Sequence, residues 1–321
     1  MHAVRYLVLG CGAIGGTVAA GRVRDGHEVL VCDADPAVVS AVRADGLRID
    51  GPVEQFTVRP AAISPAELPG QIDMPVLVAV KAHHTGAAAE LLAGRLAAGA
   101  FAVSLQNGLT AEVLAAALGE DRVVEAVVNF GADVVEPGVV LRGNRATFLI
   151  GELDGRLSER ARALAGDLAG ARATAGILGY TWGKEAYGAM LFATAVSDLP
   201  IGEVFADPAY QRLLIAVAGE VLAQAPVPPR PLDGFDPGDL AGSLSRLAEF
   251  NRGSAKKYSG IYRDLVVRKR KTEIDEVLRD IRGPIIGKVA SIIHDIEAGR
   301  RDNERANLDE LADFVAGLPA A

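Results

Sequence analysis

Cysteine is almost missing from this chain: two in 321 residues, Cys11 and Cys32. They read as small buried residues rather than a disulfide, which fits a reducing cytoplasm. No run approaches the roughly 18 apolar residues of a membrane span, although apolar residues make up 50% of the chain. No cleavable signal peptide is visible ahead of the first strand, so a cytoplasmic protein with no membrane partner is expected. Basic residues are outnumbered, 33 Lys and Arg against 41 Asp and Glu, for a net charge of −8. That balance argues against a nucleic-acid partner but says little about small anionic substrates, which see only the local field. Internal repeats and low-complexity tracts are absent, and no metal site is expected. The length suffices for two domains, each with its own core.

What is present is concentrated at the start. The apolar run Tyr6-Leu7-Val8-Leu9 is followed by Gly10-Cys11-Gly12-Ala13-Ile14-Gly15, a strand feeding a glycine-rich turn and then a helix. Gly10 suits the tight turn, Gly12 lets backbone approach a pyrophosphate, and Gly15 lets the helix pack on the strand. The helix N-terminus then points free N–H groups at phosphates. Asp33 closes a second apolar run, Glu28 to Cys32, at the distance expected of an acid that binds the adenosine ribose hydroxyls. Its charge, with Asp35 nearby and no basic residue before Arg43, disfavours a 2′-phosphate. The expectation is NAD(H) in preference to NADP(H), which is not excluded. The alternative for Asp33 is a plain cap on the helix that Pro36 opens.

Further runs at Pro75–Val80 and Phe101–Leu105, with a helical pattern from Ala87 to Leu96 between them, continue the strand–helix alternation of a parallel, doubly wound sheet. Val123–Val128, Gly138–Leu141 and Ala146–Ile150 read as strands extending that sheet in antiparallel fashion. Beyond Gly176 the pattern turns helical, interrupted by a proline-rich loop from Pro226 to Pro237. The expected architecture is a Rossmann-like α/β domain over residues 1–176 followed by an all-helical domain over 177–321. Ligands in such sheets bind beyond the C-terminal strand ends. Lys81 and Asn107 stand there, each with a bland alternative: a solvated lysine, and an Asn-Gly turn closed by Gly108.

In the helical half, Trp182-Gly183-Lys184-Glu185 reads as the start of a long helix. Lys184, Tyr187, Gly188, Leu191, Phe192 and Ala195 share one face, so a single amine lies on an otherwise small or apolar surface. Such a lysine is either snorkelling or poised for chemistry. Arg268-Lys269-Arg270-Lys271-Thr272-Glu273-Ile274-Asp275 reads as a solvated basic helix carrying one candidate carboxylate, Glu273.

Taken in order, Gly10-Cys11-Gly12-Ala13-Ile14-Gly15, Val80-Lys81-Ala82, Ser104-Leu105-Gln106-Asn107-Gly108, Trp182-x-Lys184 and Lys271-Thr272-Glu273-Ile274-Asp275 resemble the motif series of the ketopantoate reductase family. The resemblance implies reduction of a 2-oxo acid by a nicotinamide dinucleotide, with the site in a cleft between the two domains, and a homodimer. It assigns Lys184 as the catalytic lysine, Glu273 as the acid that binds the substrate hydroxyl, and Lys81 and Asn107 as cofactor and site contacts. Ser259 is a looser match to a substrate-binding serine, one or two residues further from Glu273 than the family pattern. Two departures stand out. Gly188 and Phe192 replace asparagines that face the substrate in the family, and Asp33-Ala34-Asp35 stands where a basic residue usually meets NADP. Both point away from ketopantoate itself, toward a 2-oxo acid with a bulkier or more apolar tail. An opine-type imine reductase and a non-catalytic NAD(P) sensor are the alternatives, the second disfavoured by retention of both Lys184 and Glu273.

Overall fold

The structure is a computed structural model that describes residues 3–253 and 257–319. It separates into two compact units, Met1–Ile177 and Leu178–Ala321.

The strands of the first unit are β1 (Arg5–Leu9), β2 (Glu28–Cys32), β3 (Leu47–Asp50), β4 (Phe56–Val58), β5 (Ala61–Ile63), β6 (Val76–Val78), β7 (Ala102–Ser104), β8 (Val123–Val128), β9 (Ala132–Glu136), β10 (Val139–Arg142), β11 (Phe148–Glu152) and β12 (Arg172–Ala173). Among the described residues, eight of them form one sheet in the order β12-β11-β8-β7-β6-β1-β2-β5. All its neighbours run parallel except β8 and β11. The central strands are apolar on both faces because helices cover them: α1 (Ala13–Arg24), α2 (Pro36–Asp45), α3 (Thr85–Leu92), α4 (Thr110–Leu118) and α5 (Glu159–Asp167). This is the doubly wound, Rossmann-like arrangement.

Two strands depart from the expectation: Val123–Val128, expected antiparallel, joins the main sheet as β8 running parallel to β7, and Gly138–Leu141 leaves that sheet altogether. β10 belongs to a second, four-stranded sheet, β4-β3-β10-β9, parallel to β3 and antiparallel to β9. Its valines find a different partner, since Val140 packs against Gly16 of α1 and shares a core with Leu47 and Ile49. A strand's apolar alternation says that it is buried, not which sheet it joins.

The second unit is helical: α6 (Ile177–Thr194), α7 (Ile201–Ala206), α8 (Pro208–Leu222), α9 (Leu240–Gly253), α10 (Gly260–Tyr262), α11 (Ile274–Val277), α12 (Pro284–Glu297) and α13 (Arg305–Gly317). The long helix begins at Ile177, well ahead of Trp182, so Lys184 lies in its interior rather than in its first turn. Its exit is capped by side chains: Asn303 Nδ2 donates to Ala195 O and Asn307 Nδ2 to Val196 O, at 2.7 and 2.8 Å. The proline-rich stretch between α8 and α9 is a loop, and Phe235 from it packs 6.1 Å from the Tyr187 ring.

Candidate active site

The first unit collects its candidate residues along one edge. β7, β6, β1 and β2 are consecutive parallel neighbours, and Asn107, Lys81, the glycine turn and Asp33 each follow the C-terminal end of one of them. This edge is where ligands bind in open α/β sheets.

The three glycines of the turn differ in what requires them. Gly10 has φ +95° and its backbone abuts Val80, where an added Cβ would lie 2.7 Å from the amide nitrogen. A Cβ on Gly15 would collide with Gly10 O and sit 2.9 Å from Ala79 Cβ. Gly12, by contrast, has ordinary φ (−76°), and a Cβ there meets nothing within 4 Å. Nothing in the described protein demands glycine at 12. The open space lies at the N-terminus of α1, whose first turn carries no acid. The residues therefore fit a dinucleotide pyrophosphate, which the backbone N–H groups of Gly12, Ala13 and Ile14 at the helix start would receive; the N–H of Cys11 is already taken by Asp33.

Asp33 is half-buried, and its two oxygens serve two different turns. Oδ2 accepts from Cys11 N–H at 2.6 Å and Oδ1 from Asp35 N–H at 2.9 Å. A carboxylate has about four acceptor sites, so capacity remains for ribose hydroxyls. The capping alternative falls to Asp35, whose side chain accepts from Ala37 N–H as the N-cap of α2. Arg43, the first basic residue past strand two, is committed elsewhere, to Ala62 O at 2.8 Å and to Glu67.

Lys81 and Asn107 are exposed. Their backbones are joined by a residue to which the sequence reading gave no role. Gln106 Nε2 donates to Val80 O (2.9 Å) and to Thr85 Oγ1 (2.8 Å), and Thr85 in turn donates to Ala82 O (2.7 Å). The carbonyls on both sides of Lys81 are thus tied to the residue beside Asn107.

In the second unit, α6 is buried nearly all round. From Gly179 to Thr194 its half-buried positions are Tyr180, Lys184, Tyr187, Gly188 and Leu191, a stripe at i, i+4, i+7, i+8 and i+11. Lys184 lies on this stripe, with Tyr187 and Gly188 one turn on. A Cβ on Gly188 meets nothing within 4 Å, so the residue leaves a real notch. Tyr187 is packed between Phe205 and Phe235, and burial pushes its hydroxyl up to about 12. Phe192 does not belong to the stripe. It is 3% exposed, and Ala195 is 1% exposed beyond the helix end, so Phe192, expected where the family has a substrate-facing asparagine, is a core residue. At about 80° around the helix from Lys184, residue 192 falls outside the half-buried stripe. Ser197 is also spent locally, donating to Thr194 O at 3.1 Å.

The basic segment is not a helix. Residues 268–273 are a loop and α11 begins at Ile274. Lys269 has φ +49°, and Asp264, 5% exposed, draws in Arg268 (3.0 Å) and Arg270 (2.7 Å). Two guanidiniums satisfying one buried carboxylate outweigh the helix propensity of the run. Glu273 is the half-buried N-cap residue of α11, between buried Thr272 and Ile274. Ser259 is buried and caps α10, accepting from Tyr262 N–H at 3.1 Å. Arg263–Val267 is a π-turn, with Arg268 N–H donating to Arg263 O at 2.8 Å, and a π-turn absorbs one more residue than an α-turn.

Comparison with known proteins sets this geometry in context. A model of the family described as ketopantoate reductase PanE/ApbA matches residues 6–155. The 2-dehydropantoate 2-reductase of Archaeoglobus fulgidus is 30% identical over 296 residues, 90% of this chain and 92% of that protein. That of Mesorhizobium japonicum is 30% identical over 188 residues, a match spanning 57% of its length. Among solved structures, a PanE/ApbA family ketopantoate reductase from Ralstonia eutropha superposes with TM-score 0.75 at 24% identity, covering 98% of this chain and all of that one. D-mandelate dehydrogenase with NADH and anilino(oxo)acetate superposes with TM-score 0.81 at 17% identity, covering 92% and 99%.

Proposed function

Because the chain belongs to the ketopantoate reductase family of NAD(P)-dependent oxidoreductases, we propose that it reduces a 2-oxo acid to a 2-hydroxy acid, with NAD(H) preferred. The observation that carries this reading is Lys184: an amine on the half-open stripe of a helix otherwise buried, beside the notch at Gly188.

A bound dihydronicotinamide supplies a hydride to the substrate carbonyl carbon. Backbone N–H groups of Gly12, Ala13 and Ile14 would hold the pyrophosphate, with the Cys11 N–H engaged by Asp33 to shape the turn, and Asp33 would accept from the ribose hydroxyls. Lys184, as the ammonium, hydrogen-bonds the carbonyl oxygen, stabilises the charge that develops there and donates the proton that completes the alcohol. Glu273 accepts from the nascent hydroxyl, fixing its orientation, while Asn107 and Ser259 hold the substrate. Asp33 repels a 2′-phosphate and Arg43 is engaged with Glu67, which supports NAD(H) over NADP(H). The notch at Gly188 and the absence of an asparagine there support a substrate with a bulkier or more apolar tail than ketopantoate. D-mandelate dehydrogenase, whose structure contains NADH and an aryl-bearing oxo acid derivative, has the same fold.

The test is NADH oxidation against a panel of 2-oxo acids (ketopantoate, branched-chain and aromatic), with and without primary amines. Turnover of an apolar 2-oxo acid without amine is the expected result. Turnover that requires an amine would move the assignment to imine reduction, and binding of NADH with no turnover on any acid would move it to a sensor.

A further inference from the structure

Glu273 sits at a loop-to-helix junction, where the path of the backbone sets the direction of the side chain. The junction is gripped from α12. Glu297 is the last residue of α12, and one of its oxygens, Oε1, accepts both the backbone N–H of Thr272 (2.7 Å) and its hydroxyl (2.8 Å). One turn earlier, His294 Nε2 meets Asp275 Oδ1 at 2.9 Å. Residues 294 and 297 lie on one face of α12, so the helix holds the chain on both sides of Glu273. Thr272 is 6% exposed, which makes its two donors costly to leave unpaired. A carboxylate at a helix C-terminus is also electrostatically misplaced with respect to its own helix. Glu297 is there for what it holds, not for the stability of α12.

We propose that Glu297 is a positioning residue for the reaction, fixing the carboxylate of Glu273 by anchoring Thr272. This rests on the reading of Glu273 as a substrate-binding acid. Both bonds converge on one acceptor oxygen, so the function is geometric and does not need the charge: an amide oxygen at the same place can accept both. On the incoming side, Asp264 ties down Arg268 and Arg270, so that the whole span from 264 to 275 is anchored.

The experiment compares Glu297→Ala, Glu297→Gln, Thr272→Val, Glu273→Gln and the double variant Glu273→Gln/Glu297→Ala in the full chain. The readouts are kcat and KM on the best 2-oxo acid, NADH Kd by fluorescence, and Tm. Glu297→Ala is expected to lose tenfold or more in kcat/KM with NADH Kd within twofold. Glu297→Gln is expected to stay within threefold of the parent, and Thr272→Val, which keeps the backbone bond, to fall between the two. In the Glu273→Gln background, Glu297→Ala should cost nothing further, because the group it positions is already gone. A purely structural role would instead lower Tm and act equally in both backgrounds, which would overturn the proposal. So would parental kcat/KM for Glu297→Ala, or equal losses for the Ala and Gln variants. Should Glu297→Ala fail to fold, Thr272→Val in the two backgrounds decides by the same criterion. Parental activity of Glu273→Gln, in contrast, would refute the role of Glu273 itself.

Discussion

The backbone N–H of Cys11 donates to Asp33 Oδ2 at 2.6 Å, tying the glycine turn after β1 to the end of β2. One carboxylate thereby shapes the glycine turn, and on the proposed reading it also accepts from the adenosine ribose. A charged acceptor on a backbone donor makes a strong hydrogen bond, so the turn is set before a ligand arrives. Cofactor preference and loop shape are consequently linked through Asp33. NADH is expected to bind at least tenfold more tightly than NADPH, a difference of about 1.4 kcal/mol. Fluorescence titration of both reduced cofactors checks this, and a tighter Kd for NADPH would refute it. Asp33→Asn should narrow the gap by weakening NADH more than NADPH.

The glycine turn separates steric need from ligand need. Gly12→Val should leave Tm within a degree or two of the parent, since a side chain begins in open space, yet weaken NADH by tenfold or more by occupying the pyrophosphate position. Gly15→Ala should instead destabilise the fold by about 1–3 kcal/mol, because its Cβ is forced against Gly10 O and Ala79. Thermal melts with and without NADH distinguish the two. Equal Tm losses would mean that Gly12 is structural.

Removing the amine should remove turnover and spare cofactor binding. A general acid contributes about 10²–10⁴-fold, so Lys184→Ala is expected to lose at least a hundredfold in kcat with NADH Kd within twofold. Single-turnover kinetics on the preferred 2-oxo acid provide the measurement. Retention of more than a tenth of the parental kcat would exclude Lys184 as the proton donor.

Gly188→Asn restores a polar side chain where a Cβ has free space. The variant should fold normally and shift the kcat/KM ratio toward ketopantoate and away from aromatic or branched 2-oxo acids. A site built to hydrogen-bond a hydroxyl discriminates for it strongly, whereas an apolar one cannot. The ratio of the two kcat/KM values, parent against variant, is the observable. An unchanged ratio, or a parent that already favours ketopantoate tenfold, would remove the notch from the specificity argument.

Both thiols should be inert in the folded chain. Burial pushes Cys11 and Cys32 up from an ordinary value near 9 to about 12, with the Asp33 carboxylate adding to each shift. The fold thus binds these protons more tightly than the unfolded chain does, and the stability they contribute is present below about pH 9 and lost as pH rises toward 12. Iodoacetamide at pH 8 should label neither cysteine natively and both in denaturant, as read by mass spectrometry. Native labelling of Cys11 would show that the glycine turn opens.

Much of this protein is set by local pattern. The glycine spacing, the acid closing strand two and the alternation of strand and helix specify a parallel sheet with its ligand edge, because each rests on backbone sterics and on periods of two and 3.6 residues. The position of Lys184 on an amphipathic stripe is legible for the same reason. What local pattern could not decide was which partner each segment meets. The alternation of β10 predicts burial but not the second sheet, since Val140 answers to α1 rather than to the edge of the main sheet. Phe192 lies about 80° around α6 from Lys184 and belongs to the core, because the buried arc of the helix is wider than the sequence suggests. Arg268 to Lys271 look like a solvated helix until Asp264, buried in a π-turn, draws the arginines into a loop. Gln106 and Glu297 gain their significance from hydrogen bonds that span 26 and 25 residues of chain. Sequence determines the periods that place a side chain on a face; only the tertiary structure decides what lies across from that face, because the partner comes from a distant part of the chain.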